Sequence, residues 1–270
     1  MIFKQNYQKL KDEVTRLTSL KGADNWGKTR NSENFDLVER TYSFGVRKCY
    51  VRKKNDQQTY LDLQSSRGIN VLENDNIDRI FSNIDENMKL IASDWVRIHE
   101  LDYIFSQLSE SGEKISHTGF VELGFRVPRL MKYYGEEYDV KSWGFDVSPL
   151  SIGVTQSMGY DARYYNFDTC KEDPDLSGAS LIVSYHMFEH ISDPLKAIKK
   201  VYEKMDSGAF LHIEIPIEPG IPRLNYAHMF AFEAQDMAHM LRESGFQILT
   251  LSNQTHPDGP HIERCLARKV

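Results

Sequence analysis

Cysteine is scarce. Only Cys49, Cys170 and Cys265 occur in 270 residues, widely separated, odd in number and with no C-x-x-C pair. A disulfide framework is not expected, and a reducing compartment suits such a chain. Long apolar runs are missing as well. No stretch approaches a membrane span, and the opening MIFKQNYQKLKDEV lacks the apolar core of a secretory signal. The expectation is a cytoplasmic protein with no membrane partner. There is no internal repeat and no low-complexity tract. Basic runs are short: KCYVRKK at 48–54 alternates as a strand does, and 33 basic against 39 acidic residues leave a net charge of −6. Nucleic acid is therefore not an expected partner.

What is present is an ordinary globular composition, 40% hydrophobic and 27% charged, sufficient for one large domain with or without an appendage. Two textures divide the chain. Residues 1–115 are polar and irregular, and are read as a mainly helical N-terminal appendage. Lys9–Leu20 suits a helix, and Lys48–Lys53 and Gln58–Leu63 suit strands. Across Asn83–Ser111 the apolar residues Ile84, Met88, Leu90, Ile91, Trp95, Ile98, Leu101, Ile104, Phe105 and Leu108 recur at threes and fours, the period of an amphipathic helix, continuous or with one break. Its apolar face suits packing on the second region, a cap over a cleft, or a homodimer contact.

Residues 116–270 alternate apolar strand-like runs with helical stretches. That pattern predicts an α/β fold: a Rossmann-like, mostly parallel seven-stranded sheet with helices on both faces. The strands are GFVELGF (119–125), VKSWGFDVS (140–148), ARYYNFD (162–168), ASLIVSYHM (179–187), AFLHIEIPI (209–217), FQILTLS (246–252) and HIERCLARK (261–269). Helices are expected over Pro128–Tyr134, Pro149–Gly159, Asp193–Met205 and Glu233–Ser244, with prolines at helix starts and glycines just past helix ends.

Ligands of open α/β sheets sit at the carboxyl ends of the strands. Those ends carry Glu122-Leu-Gly124, then Asp146, then Phe167-Asp168, then Tyr185-His186. Asp146 follows Glu122 by 24 residues, close to the separation between a glycine turn and an acid that holds ribose hydroxyls. A second acid after the third strand can accept a bond from an adenine amino group.

Taken in order, VELGF, GFDVSP, NFD, the stretch LIVSYHMFEHISDPLKAIKKVYEKMDSGAFLHIEIP and the unit HMFAFEAQDMAHMLRESGFQILTL resemble a class I S-adenosylmethionine-dependent methyltransferase. The resemblance implies S-adenosylmethionine as cofactor. It places Glu122 and Gly124 at the methionine end, Asp146 with Val147 at the ribose, and Asp168 with Phe167 at the adenine, with Tyr185 also on the cofactor side. One departure stands out. Where the family has a second glycine, this chain has Arg126. Either the loop takes another path, or Arg126 contacts the methionine carboxylate, or cofactor binding is impaired.

HMFEH at 186–190 has the His-x-x-Glu-His spacing of one class of zinc peptidases. It falls where a strand ends, with no helical pattern to set both histidines on one face, and no third ligand is evident in the sequence. No metal ligand set is expected. One branch of the family holds a metal on Glu-x-x-Glu-His here, but this chain has His186 in place of the first Glu. His190 suits a turn-pinning role through a backbone bond. His228, in the loop that faces the acceptor in the family, suits either packing or a general base. The order of candidate bases is His228, His190, His186. His212 and His239 are read as structural. The place of an Asn-Pro-Pro-Tyr motif is taken by Ser184-Tyr185-His186-Met187, which argues against a nucleobase amine. Arg223, Asn225 and Tyr226 are the candidate substrate contacts, suited to a sugar, phosphate or nucleotide group. The reading is O-methylation of a small-molecule, carbohydrate- or nucleotide-linked hydroxyl. The alternatives are a binding module without catalysis and, through HMFEH, a metal-dependent hydrolase.

Overall fold

The protein is described from a computed structural model covering residues 35–53, 88–224, 227–255 and 261–270. The expected helix at 9–20, the expected strand at 58–63, and Asn225 and Tyr226 lie outside these residues.

Two strands, β1 (Phe35–Tyr42) and β2 (Gly45–Arg52), form an antiparallel hairpin, and one long helix, α1 (Ala92–Glu110), follows. The reading of a mainly helical appendage thus missed half of the hairpin. β1 carries polar residues at alternate places, and its burial is weak beyond Phe35, so its apolar signal is faint. Of the helical stretch expected over 83–111, residues 83–87 lie outside the described residues, and the described helix begins at Ala92, where a break falls. Ile91 is extended, and the Asp94 carboxylate accepts the Ile91 N–H at 3.1 Å, which caps the helix at that point.

The remaining strands are β3 (Gly119–Leu123), β4 (Lys141–Asp146), β5 (Asp161–Tyr164), β6 (Leu181–Tyr185), β7 (Phe210–Ile217), β8 (Phe246–Thr255) and β9 (His261–Lys269). They form one sheet in the order β5-β4-β3-β6-β7-β9-β8. β3 to β7 are mutually parallel, and β9 runs antiparallel to both of its neighbours. Helices α2 (Arg129–Glu137), α3 (Pro149–Ser157), α4 (Pro194–Lys204) and α5 (Asp236–Glu243) connect them.

Strand alternation assigns each side chain to one of two cores. Val121, Leu123, Ile182, Leu211 and Ile213 pack with Ile198 and Val201 of α4 and Met237 and Leu241 of α5. Phe120, Leu181, Val183 and Phe210 point the other way, onto Ile98 and Leu101 of α1 and Leu130 and Met131 of α2. β5 ends earlier than ARYYNFD implies. The Asn166 side chain accepts the Asp168 N–H at 2.9 Å, an Asx turn that swings Phe167 and Asp168 off the sheet.

α1 is also held by charge. Its Arg97 pairs with Glu214 on β7 and with Asp94, and Asp94 accepts Arg129 Nε at 2.7 Å. Arg264 on β9 donates Nε to Glu214 at 2.7 Å and pairs with Glu100 of α1. The hairpin is held separately. Arg47 makes a bidentate pair with Asp236 of α5, both contacts at 2.7 Å, and Arg40 reaches Asp193 at the start of α4 at 2.9 Å. His239 stacks on Phe44 of the hairpin turn with ring centroids 5.4 Å apart.

His212, on β7, is fully buried, its Nδ1 2.8 Å from the Tyr185 hydroxyl. Burial, and after it the charge of Arg264, pulls its imidazole down to about 3. The folded protein therefore keeps His212 neutral, whereas the unfolded chain protonates it near pH 6.5. The stability that this confers is complete above the unfolded value and is lost as pH falls toward 3, at about 1.4 kcal/mol per pH unit. Urea titrations across that acidic range should show wild type losing stability more steeply than His212→Gln, by one proton.

Candidate functional site

The order β5-β4-β3-β6-β7 reverses direction between β3 and β6, so a crevice opens at the carboxyl ends of these two strands. A cavity of about 310 Å³ lies there. Gly124 follows β3 on one side, and His186 follows β6 on the other. Gly124 is left-handed, φ +77°, and an added Cβ would lie 2.7 Å from Met187 Cγ. A side chain there would collide with the cavity wall. Arg126 is left-handed too, at φ +45°, and its N–H donates to Asp146 Oδ2 at 2.9 Å. Asp146 Oδ1 accepts the Ser148 N–H at 2.7 Å. Burial pushes the Asp146 carboxyl up, and these backbone donors pull against it.

Asp168 is brought to the cavity by the Asx turn. It accepts the Ser192 hydroxyl at 2.7 Å and the Ser192 N–H at 3.2 Å. The turn after β5 is thereby tied to the turn after β6. Burial raises its carboxyl, opposed by the Ser192 bonds. Phe145, Val147, Tyr165 and Phe167 supply apolar wall between the two acids.

The far wall holds the histidines. HMFEH runs from the end of β6 into a single 3-10 turn, Phe188–His190, and its two histidines diverge. His186, φ +53°, places Nε2 3.0 Å from Glu214 and Nδ1 3.4 Å from Glu189. Burial pulls its imidazole down, but the two carboxylates outweigh that and raise it to about 9. His190 instead turns its Nδ1 to the Ala227 carbonyl, 2.8 Å away. The backbone of the loop after β7 is stitched to the same turn, since the N–H groups of Met229 and Phe230 both donate to the Glu189 carbonyl, at 2.7 and 3.1 Å. His228 thereby arrives beside His190, ring centroids 5.0 Å apart, with its Nδ1 2.6 Å from Glu218 Oε2. The hairpin supports this loop from outside, where the Tyr50 N–H donates to the Met229 carbonyl at 2.7 Å.

A family model described as a methyltransferase domain matches residues 99–251, more than half of the chain. The chain belongs to the class I S-adenosylmethionine-dependent methyltransferases. Solved structures of similar fold include a Galdieria sulphuraria protein described as a sarcosine dimethylglycine methyltransferase, at 13% identity and TM-score 0.50, over 64% of this chain and 86% of that one. An S-adenosylmethionine-dependent methyltransferase from Mesorhizobium loti, at 14% identity and TM-score 0.49, covers 63% and 97%. PigF with SAH, at 15% identity and TM-score 0.45, covers 72% and 61%. At these identities the likeness is one of fold. No curated protein matches the chain by sequence.

The cofactor of this methyltransferase is S-adenosylmethionine, and the cavity suits it. Acceptor carboxylates stand at two strand ends, apolar wall lies between them, and the left-handed glycine keeps the floor clear. Gly124, Arg126, Asp146, Val147, Phe167, Asp168 and Tyr185 line the cavity, as do His186, His190 and His228.

Glu122 is placed differently from the sequence reading. It alternates with Val121 and Leu123 and so faces the α1 side, outside the cavity wall. There burial, and then Asp94, push its carboxyl well up, against Arg97 and Arg129. Arg223 does not line the cavity either; its guanidinium reaches Glu218 at 3.5 Å. Two residues beyond the sequence reading matter here. Glu218 orients His228, and Glu189, seen only as part of HMFEH, forms the buried wall between the histidines. An acid ten residues before a histidine carries no local signal, so only the loop path reveals the first.

Arg126 keeps a glycine-like backbone without being glycine. Such a conformation costs a residue with a side chain about 1–2 kcal/mol, partly offset in any glycine variant by greater unfolded-state freedom. Arg126→Gly should therefore hold or raise unfolding stability, by up to about 1 kcal/mol. Denaturant unfolding measures it. A loss larger than that would show that the guanidinium side chain, rather than the backbone bond to Asp146, anchors the loop.

Proposed function

We propose that this methyltransferase transfers a methyl group to a hydroxyl oxygen of a small molecule, carbohydrate-linked or nucleotide-linked. The observation that carries the reading is the Glu218–His228 pair at 2.6 Å on the cavity wall. A carboxylate can only accept, so it takes Nδ1–H and leaves the lone pair of the neutral ring on Nε2, the arrangement of an oriented general base. An amine acceptor carrying its own lone pair has less need of such a base. A hydroxyl must lose its proton as it attacks.

Bound S-adenosylmethionine supplies an already activated methyl group, so the chain's main task is alignment. In this reading Asp146 accepts from the ribose hydroxyls with the lone pairs that Arg126 and Ser148 leave open. Asp168 and Phe167 flank the adenine. Arg126 reaches the methionine carboxylate from its backbone-anchored position. His228 takes the acceptor proton, and His190, fixed on the Ala227 carbonyl, holds the loop and stands second in line. Residues 1–115 act as an appendage that shapes the acceptor end, supported by the hairpin's bonds to Met229 and α5. Arg223, with Asn225 and Tyr226, extends the acceptor side. Because Arg126 retains the left-handed path of the glycine it replaces, the ground for a binding module without catalysis is weak. The divergence of His186 from His190 weighs likewise against a peptidase-like pair. Among the described residues no helix is long and apolar enough to cross a membrane. The proposed acceptor is a dissolved small molecule in a cytoplasmic setting, a reading that rests on the sequence rather than on the helix lengths.

S-adenosylhomocysteine should bind and raise the melting temperature. Asp146→Ala should weaken that binding by about 1.5–3 kcal/mol, the value of a charge-assisted bond. Asp168→Ala should cost less, because Ser192 already occupies that carboxylate. Calorimetric titration compares the two, and equal affinity for wild type and the Asp146 variant would remove Asp146 from the ribose. His228→Ala should cut turnover by about 10²–10⁴-fold with S-adenosylhomocysteine affinity unchanged. Methylation of amine acceptors alone, across a panel of hydroxyl and amine compounds, would overturn the hydroxyl assignment.

A further inference from the structure

We propose that β8 pairs with the β8 of a second copy of this chain, antiparallel about a twofold axis at Ser252, so that the large sheet continues across a homodimer. β8 (Phe246–Thr255) ends that sheet. β9 pairs with one side of it, and among the described residues no strand pairs with the other. Such an edge presents unpaired N–H and C=O groups to any strand that meets it, and monomeric proteins blunt their edges with charge, proline or brevity. β5, at the opposite edge, is four residues long and carries Asp161 and Arg163. β1, at the edge of the hairpin, carries Asp36, Glu39 and Arg40. β8 runs for ten residues, FQILTLSNQT, without a charge or a proline.

Three observations make a second copy the occupant. The chain carries a net charge of −6, so two copies repel over much of their surface and meet most readily where neither is charged. β8 is such a strip. The strand is also firmly presented. The Ser252 hydroxyl donates to Glu100 of α1 at 3.0 Å, and the Gln254 side-chain oxygen accepts from Arg264 of β9 at 3.2 Å, so pairing orders little that is not already ordered. Finally, the strand complements itself. Its one irregularity, the register shift between Ile248 and Thr250, lies before the axis and leaves Thr250–Gln254 regular. Turned about Ser252, this segment sets Thr250 opposite Gln254 of the partner subunit. The Thr250 hydroxyl is buried and has no hydrogen-bond partner among the described residues. A turn about its χ1 brings it to that carboxamide, which can both donate and accept.

Leu251 completes the contact. It is 37% exposed, and it is the one large apolar residue of the strand that stands open to solvent. In the joined sheet it lies diagonally across the axis from its own copy, within reach for side chains of that length, so each shields the other from water. A pairing confined to one strand falls at the small end of specific interfaces, so the dimer forms in a concentration-dependent equilibrium. β7 and β9 separate β8 from the crevice between β3 and β6. The axis therefore leaves both cavities open, and dimerisation is independent of the acceptor's identity.

Sedimentation equilibrium of the full chain across a range of concentrations should show a monomer–dimer equilibrium. Leu251→Lys and Leu251→Glu each set like charges beside one another across the axis, and each should weaken self-association by about tenfold or more. An equimolar mixture of the two should regain it, because opposite charges then meet. S-adenosylhomocysteine affinity should stay at the wild-type value in both variants, which reports an intact fold. Hydrogen exchange needs no variant. The amides of Thr250–Gln254 that face away from β9 should gain protection as the wild-type concentration rises. A wild type that is monomeric at every concentration overturns the proposal, and so does a dimer whose formation leaves exchange in β8 unchanged. A mixture that associates as weakly as its two components overturns the axis at Ser252. If both Leu251 variants associate as wild type does and Tyr103→Ala does not, the contact belongs to the outer face of α1, where Tyr103 is 67% exposed, and β8 is not the interface.

Discussion

The carboxylate of Glu214 is the point at which helix, sheet and cavity meet. It is buried within β7, level with the end of β6, and takes Arg97 from α1, Arg264 from β9 and His186 from the end of β6. Burial would push such a carboxyl up, but these three cations hold it well below the usual carboxylate range. Each partner depends on the others. Removing Glu214 would leave two buried guanidinium groups without their shared anion, a loss of the order of 3–5 kcal/mol. The same contact explains why α1 docks where it does and why His186 turns away from His190. Arg97, lying 4.2 Å over the Tyr185 ring, fills the space beneath that turn.

A second constraint acts on the opposite wall. The loop after β7 carries His228 outside any named helix or strand, and such a loop would ordinarily be free to take many paths. Here it is bonded inward to the Glu189 carbonyl and outward to Tyr50 of β2. The hairpin is in turn clamped to α5 by Arg47 and Asp236, a bidentate pair with Asp236 1% exposed. Three segments far apart in sequence therefore set the position of one imidazole. The hairpin thus braces the loop that carries His228.

These two constraints account for what could and could not be read from sequence. The strands of the large sheet were legible because each is a buried apolar run between turn signals. Asp146 and Asp168 were legible because strand ends converge in any parallel sheet. Gly124 was legible because only a glycine clears Met187. Glu122 was misplaced because its position suggested the cavity while strand alternation turns it toward α1. The place of the break before α1 was not legible because apolar spacing continues through Met88 and Ile91, whereas the cap that starts the helix is set by Asp94. The pairing of Glu218 with His228, and of His228 with His190, left no periodic trace at all. Contacts made by a loop folding back depend on where its ends are tied, and those ties are backbone bonds, blind to residue type.

Two of the left-handed non-glycine residues follow the two strands flanking the crevice, Arg126 after β3 and His186 after β6. Each is held by a backbone bond to the sheet: the Arg126 N–H to Asp146, and the His186 N–H to the Glu214 carbonyl at 2.9 Å. Strain of about 1–3 kcal/mol persists only where surroundings over-determine it, and here the fixed points are the two acids that organise opposite walls. The sharp turns keep the chain from crossing the crevice, so the cavity stays open between β3 and β6. Asp146 thus both lines the cavity and anchors the turn that faces it, while Glu214, outside the cavity lining, anchors the turn carrying His186 across the crevice. The opening is maintained by charge already required to bury α1 and β9, which couples the shape of the site to the stability of the fold.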